Sequence, residues 1–285
     1  MSKKLLLKGL TFLTVLTLLI TSISFASPIG ETKTTIEISE IDYMNQLKSK
    51  DNNELKKLGL SSEEISSIRA FSFEKAIKER TLKNSDENLK NMGYTKKQIQ
   101  IMRNFKGTDK EVRALAAKAN ISLYKRYSSS SSDTSYLTMN FDYSWSSQPF
   151  HNGTDILAFA WSSGYNSNQS SSIVRARYYD GTNGNGRDKT ISYEIYDKIP
   201  GSGCYFKVPL LGDGNKVPYG YYSKSGSGTI YLYKNALVGS AEVRFEYGHR
   251  QVTGSAKVSF PGGLSIDFNY GTKSVAVKNY EYRDN

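Results

Sequence analysis

Residues 128–143, SSSSSDTSYLTMNFDY, divide the chain into two halves of different character. The serine run Ser128–Ser132 and the following Asp133, Thr134 and Ser135 show no apolar periodicity, so residues 122–135 read as a flexible linker open to proteases. Directly after it, Leu137, Met139, Phe141 and Tyr143 alternate with polar residues, the period of a strand with one dry face. Before it the chain is rich in Lys and Glu and carries helix start and stop signals. Of 21 tyrosines, 19 lie after residue 121, and so do both tryptophans, which sets the downstream half apart as aromatic and β-forming.

The alternation continues downstream through Val174, Ala176 and Tyr178, then Ile191, Tyr193 and Ile195, then Ala241, Val243, Phe245 and Tyr247, and finally Leu264, Ile266 and Phe268. Turn signals separate these runs, among them Pro200-Gly201, Gly212-Asp-Gly214 and Pro261-Gly262-Gly263. Short strands at this spacing without intervening helices predict an antiparallel β-sandwich or flattened barrel over 136–285.

Upstream, a segment repeats at a 34-residue offset. Leu55, Leu58, Gly59, Leu60, Ser61, Glu64, Ile65, Ile68, Arg69 and Phe71 align with Leu89, Met92, Gly93, Tyr94, Thr95, Gln98, Ile99, Met102, Arg103 and Phe105. Gly59 and Gly93 suit the left-handed turn that ends a helix. Ser61 with Glu64, and Thr95 with Gln98, form capping boxes that start the next one, and Leu60 and Tyr94 can staple onto Ile65 and Ile99. A third box, Thr108 with Glu111, starts a last helix reaching Ala119. Each Gly turn with its capped helix resembles ubiquitin-associated-type three-helix modules over about 17 residues; no function comes with so short a match. The fold expected is therefore α+β in two domains: a small helical bundle over 40–121, then the sandwich. The bundle reads either as a pro-segment or docking module, or as a folded spacer.

The first residues, Met-Ser-Lys-Lys, an apolar stretch Leu10–Ile23 and Ser24-Phe25-Ala26, predict a secretory signal peptide cleaved after Ala26, followed by an extension over 27–39. A secreted, extracellular protein of bacterial type is expected. Cys204 is the single cysteine, so no internal disulfide forms and stability rests on burial. Net charge is +11, and the excess is shared between the halves and interleaved with acids, unlike the clustered patch of a nucleic-acid binder. Loose attraction to an anionic surface, or plain solubility charge, fits it equally.

Signals for catalysis are thin. Cys204 with His151 or His249 is the minimum for a thiol nucleophile and base, but its flanks carry no thiol-enzyme signature and a buried apolar role suits it better. His151 and His249 stand 98 residues apart with no ligand spacing around them, a poor zinc site. Asp155, Glu194, Asp197, Glu242 and Glu246 could pair in space as glycosidase acids do, a separation that sequence does not fix. Asp180, Asn183, Asn185 and Asp188 offer oxygens to calcium, yet Gly184 and Ile191 occupy positions where the EF-hand pattern needs ligands; a hairpin loop accounts for the composition. No cofactor is expected.

The aromatic residues are the stronger signal. Trp145, Trp161, Tyr178, Tyr179, Tyr219, Tyr221, Tyr222, Tyr231 and Tyr233 are candidate binding residues, because adjacent strand positions face opposite sides and some rings must lie outside. Sheet packing is the competing explanation. The expected function is non-catalytic adhesion to a cell-surface or envelope glycan or protein. Two alternatives stay open: a membrane-active toxin or antibacterial protein acting on an anionic membrane, with the helical part as pro-segment, and a polysaccharide hydrolase.

Overall fold

The computed structural model describes residues 34–36, 40–57, 59–180, 188–212, 214–250, 258–261, 263–268 and 272–283. The expected leader, most of the 27–39 extension and the interior of the 180–188 loop lie outside the described residues. A short strand β1 (Thr34–Ile36) is followed by helices α1 (Glu40–Ser49), α2 (Asn52–Lys57), α3 (Ser62–Ala70), α4 (Phe73–Lys83), α5 (Asp86–Asn91), α6 (Lys96–Arg103) and α7 (Asp109–Ala114). Strands then dominate: β2 (Ala119–Ser130), β3 (Ser135–Trp145), β4 (Thr154–Trp161), β5 (Asn166–Ser167), β6 (Ile173–Asp180), β7 (Asp188–Glu194), β8 (Asp197–Ile199), β9 (Gly203–Pro209), β10 (Tyr221–Lys234), β11 (Ser240–Arg250), β12 (Val258–Ser259), β13 (Asp267–Phe268) and β14 (Thr272–Arg283).

The capping boxes form as the sequence predicts, at Ser61/Glu64, Thr95/Gln98 and Thr108/Glu111. Gly59 and Gly93 take positive φ, +82° and +92°. Around each, the next residue's N–H reaches back to the helix: Leu60 to the Leu55 carbonyl at 3.2 Å, and Tyr94 to the Leu89 carbonyl at 3.1 Å, the Schellman closure. The repeat proves longer than its sequence signature. Helices α1–α3 recur as α4–α6, each a three-helix unit, and Arg69 and Arg103 do the same work in both. Arg69 donates to the Lys48 and Lys50 carbonyls, and Arg103 to those of Thr81 and Asn84. Each guanidinium thus satisfies carbonyls left open where a helix ends.

The β part holds a seven-stranded antiparallel sheet, order β1-β2-β3-β10-β6-β7 with β5 also on β10, and a five-stranded sheet, order β14-β11-β4-β9-β8. The core between them is aromatic. Phe159 and Phe245 stack with ring centroids 4.5 Å apart, and Phe141 approaches Phe159 at 4.7 Å. Strand β10 meets this core with glycines: a Cβ on Gly228 would lie 2.3 Å from the Phe141 ring, and one on Gly226 would lie 2.4 Å from the Tyr143 ring. The outer face of the five-stranded sheet is covered where Ile266, Phe260 and Phe268 pack on Ile156, Ala158 and Ala160.

Two expectations need correction, and a third is not confirmed. The serine run is no linker: Ser128, Ser129 and Ser130 pair in register with Leu137, Tyr136 and Ser135, and Ser131 and Thr134 close a hairpin through an N–H to carbonyl bond of 2.8 Å. Ladder bonds come from the backbone, so a strand beside a well-patterned partner needs no apolar period of its own. The last helix stops at Ala114, before the predicted Ala119, because Ala117 and Ala119 are buried in the sheet core and Ala119 pairs with Trp145. Finally, the division into two domains is not confirmed. Residues 31–285 form one compact unit, and the helical core is completed by Phe150 and Tyr222 from the β part.

Candidate functional site

Helix α4 and the loop between β3 and β4 meet first through Arg80. Its guanidinium donates to the carbonyls of Gln148 and Pro149, both at 2.8 Å, and lies 4.4 Å from the Phe150 ring centroid. The Gln148 N–H donates to the Met92 carbonyl at 2.8 Å, and the Tyr222 hydroxyl to the Asn91 carbonyl at 2.7 Å. Beside this clamp the first residue of α1, Glu40, is buried in the protein interior. Its carboxylate accepts the backbone N–H of Phe150 and of His151, each at 3.0 Å, and lies 3.2 Å from His151 Nδ1 and 3.4 Å from His249 Nε2. On the far side of the imidazole, His249 Nδ1 lies 2.9 Å from Asp155 Oδ1. The Tyr247 hydroxyl donates to Asp155 Oδ2 at 2.7 Å and accepts from the Trp145 indole at 3.1 Å.

Glu40, Asp155 and His249 are each fully buried. Burial alone would lower the His249 pKa, but the Asp155 carboxylate and Glu40 outweigh it and lift the value to about 9. Burial likewise pushes the Glu40 pKa up, and the hydrogen bonds from His151 and His249 prevail and hold it well below the usual carboxylate range. An imidazolium therefore sits between two carboxylates. The arrangement has the parts of an acid–base relay; Glu40, Asp155 and His249 are closed to solvent, and together they tie α1 to β4 and β11. Burial pushes the Cys204 thiol pKa up as well, away from nucleophilic use. Among the described residues no three His, Cys, Asp or Glu side chains are arranged so as to hold a metal ion.

An accessible groove of about 560 Å³ lies on the outer face of the seven-stranded sheet. Register builds it in rows. Ser122, Asp142, Ser227 and Arg175 lie side by side across β2, β3, β10 and β6; Asn120, Ser144, Ser225 and Arg177 form the next row. Short serines make the floor, with Arg175 and Arg177 on one wall and Asn120, Ser122 and Tyr124 on the other. Ser122 donates to Asp142 Oδ2 at 3.0 Å, and Arg177 pairs with Asp188 of β7, its Nε 2.8 Å from Oδ2. Further along the same strands the floor becomes aromatic: Tyr127 and Tyr231 flank Thr138, and Tyr233 stands directly opposite Tyr136.

The candidate aromatics divide accordingly. Trp145, Trp161, Tyr178 and Tyr222 are buried and belong to the core or to the helical clamp. Tyr179 and Tyr221 are half-buried, and Tyr219 is exposed at a loop over Gly214. Only Tyr231 and Tyr233 reach the aromatic end of the open face, where they join Tyr127 and Tyr136. Those two, with Asp142 and Arg175, escaped the sequence reading, although the outward positions between Leu137, Met139 and Phe141 pointed to the face they occupy. Asp155, His151 and His249 do come together, through Glu40, whose place 110 to 209 residues away no local pattern announces. Of the calcium candidates, Asp188 pairs with Arg177 and Asp180 is buried; Asn183 and Asn185 lie outside the described residues.

No protein family and no curated protein matches this chain in sequence. Among solved structures, the collagen-binding subdomain of the Enterococcus faecalis surface protein ACE is 10% identical over 57% of this chain and 96% of its own, with a TM-score of 0.26. AvmM, which catalyses macrocyclization in alchivemycin A biosynthesis, is 11% identical over 57% of this chain and 87% of its own, TM-score 0.26. Clostridium perfringens delta-toxin is 8% identical over 58% of this chain and 83% of its own, TM-score 0.21. Similarity at this level carries no conclusion about function.

Proposed function

We propose that this protein is an exported recognition protein that holds a cell-surface or envelope polymer, glycan or protein, against the outer face of its seven-stranded sheet. The observation that carries the reading is the contrast between two clusters. The ionisable groups with strongly shifted pKa values are sealed inside, whereas the open face presents a groove of hydroxyl, amide and charged groups leading to exposed tyrosines. Large rings that combine an apolar face with a hydroxyl are what recognition surfaces use. The helical part serves as a docked support, consistent with the Glu40 and Arg80 contacts. Export rests on the leader expected over residues 1–26, cleaved after Ala26.

Fluorescently labelled protein incubated with intact cells and isolated envelopes tests this. Wild type is expected to be retained, and Tyr136→Ala/Tyr233→Ala to be lost in the wash. Equal retention of both proteins, or of neither, defeats the proposal. N-terminal sequencing of secreted protein is expected to begin at Ser27.

A further inference from the structure

We propose that the occupant of the groove is an electrically neutral, linear polysaccharide running parallel to β3 and β10, gripped by hydrogen bonds at the serine-lined end and by ring stacking at the tyrosine end. The inference rests on the reading of this face as a recognition surface and specifies its ligand. Three observations carry it.

The first is charge. Asp142 lies in the same row as Arg175, and Arg177 is paired with Asp188. The charges of the groove thus balance across its width. Polyanions such as nucleic acids need a run of unneutralised cations to release their counterions, and an anionic bilayer needs a basic surface. A balanced groove selects neither. It suits a ligand that is polar without net charge.

The second is hydrogen-bonding character. Ser122, Ser144, Ser225, Ser227 and Thr190 each carry a hydroxyl, which both donates and accepts; Asp142 only accepts and Arg175 only donates. A sugar hydroxyl also does both, so a chain of them meets partners of either kind wherever it lies. A polypeptide bound as an added strand pairs through its backbone with a sheet edge and places alternate side chains in pockets, whereas this groove lies on a sheet face. The floor instead carries short hydroxyl side chains, Ser144, Ser225 and Ser227, beside Gly226.

The third is the aromatic end. Tyr136 and Tyr233 are directly opposed neighbours, 50% and 37% exposed, on the strands that form the groove floor. The C–H face of a pyranose ring is apolar and lies flat on such rings, whose faces carry partial negative charge. From Ser144 back to Tyr136, β3 extends roughly 27 Å at about 3.4 Å per residue, room for several sugar units. Hydrogen bonding fixes orientation at one end while stacking supplies affinity at the other.

Affinity electrophoresis tests the proposal. Wild type is run through gels containing hydroxyethylcellulose, mixed-linkage β-glucan, arabinoxylan, galactomannan or soluble starch, with polygalacturonate, heparin and gelatin as charged and polypeptide comparisons. Retardation by at least one neutral polysaccharide is expected, unchanged by salt. Tyr136→Ala/Tyr233→Ala and Asp142→Ala should each weaken it by about tenfold. Ser227→Phe, which fills the floor and removes one of its hydroxyls, should abolish it. Circular dichroism checks that the variants stay folded. Failure of every neutral polysaccharide to retard the protein overturns the inference, as does retardation that Ser227→Phe leaves intact. If cells still retain wild type and lose the tyrosine variant, only the ligand class falls and the face remains a recognition surface. If neutral polysaccharide binds but cells do not, the ligand class stands and the cell-surface partner falls.

Discussion

At the scale of single residues, Glu40 and His249 bear the largest consequences. The His249 pKa is raised from 6.5 to about 9, so its contribution to stability is complete below pH 6.5 and is lost as pH climbs through 9. The Glu40 pKa is lowered from 4.5, so its contribution is complete above that value and is lost as pH falls. Both are complete between about pH 4.5 and 6.5, and thermal melts across pH should give the highest midpoint in that window. A midpoint still rising from pH 7 to 9 would contradict the charge state assigned to His249. Glu40→Gln leaves the imidazolium with one carboxylate and removes the charged acceptor from the Phe150 and His151 amides. The expected loss is about 3 kcal/mol, a fall of roughly 10 °C in Tm for a protein of this size. A change of a degree or two would show the contact to be incidental.

At the scale of elements, the hairpin β2–β3 and strand β10 decide whether the open face exists. Because Ser128, Ser129 and Ser130 are paired strand residues, limited proteolysis should spare the serine run. Early cleavage there would restore the linker that composition alone suggested. Gly228→Ala pushes a methyl group into the Phe141 ring and the Ile173 carbonyl, and overpacking of this kind costs about 1–3 kcal/mol. Urea titration should show that loss with an unchanged slope. These elements also mark how far the sequence could be read. Capping boxes, Gly turns and strand alternation are local signals, and they placed α3, α6, α7, β3, β6 and β11. The serine strand was hidden because its stability lies in backbone bonds to a neighbour. The end of α7 was hidden because burial of Ala117 and Ala119 overrides the helix preference of alanine. Glu40 was hidden because its partners lie on other elements, brought near only by the completed fold.

At the scale of the whole molecule, among the described residues one sheet face is covered and the other is open. The five-stranded sheet has Ile266, Phe260 and Phe268 against its outside, while among the described residues the central strands of the seven-stranded sheet present serine, asparagine, aspartate and tyrosine outward. Sequence reading placed the tyrosine wealth in the right half but could not sort its members, since core and surface rings share one composition. The register of β3 against β10 does the sorting.

Hydroxyl-radical footprinting on labelled envelopes measures this directly, because the exposed tyrosines occupy different surfaces. Tyr136, Tyr233 and Tyr127 lie on the open face, whereas Tyr196 packs on Tyr205 and Tyr219 sits in the Gly214 turn. Binding should protect Tyr136 and Tyr233 from oxidation and leave Tyr196 and Tyr219 as reactive as in the free protein. Protection of Tyr196 or Tyr219, with Tyr136 and Tyr233 still oxidised, would place the partner elsewhere and contradict the account.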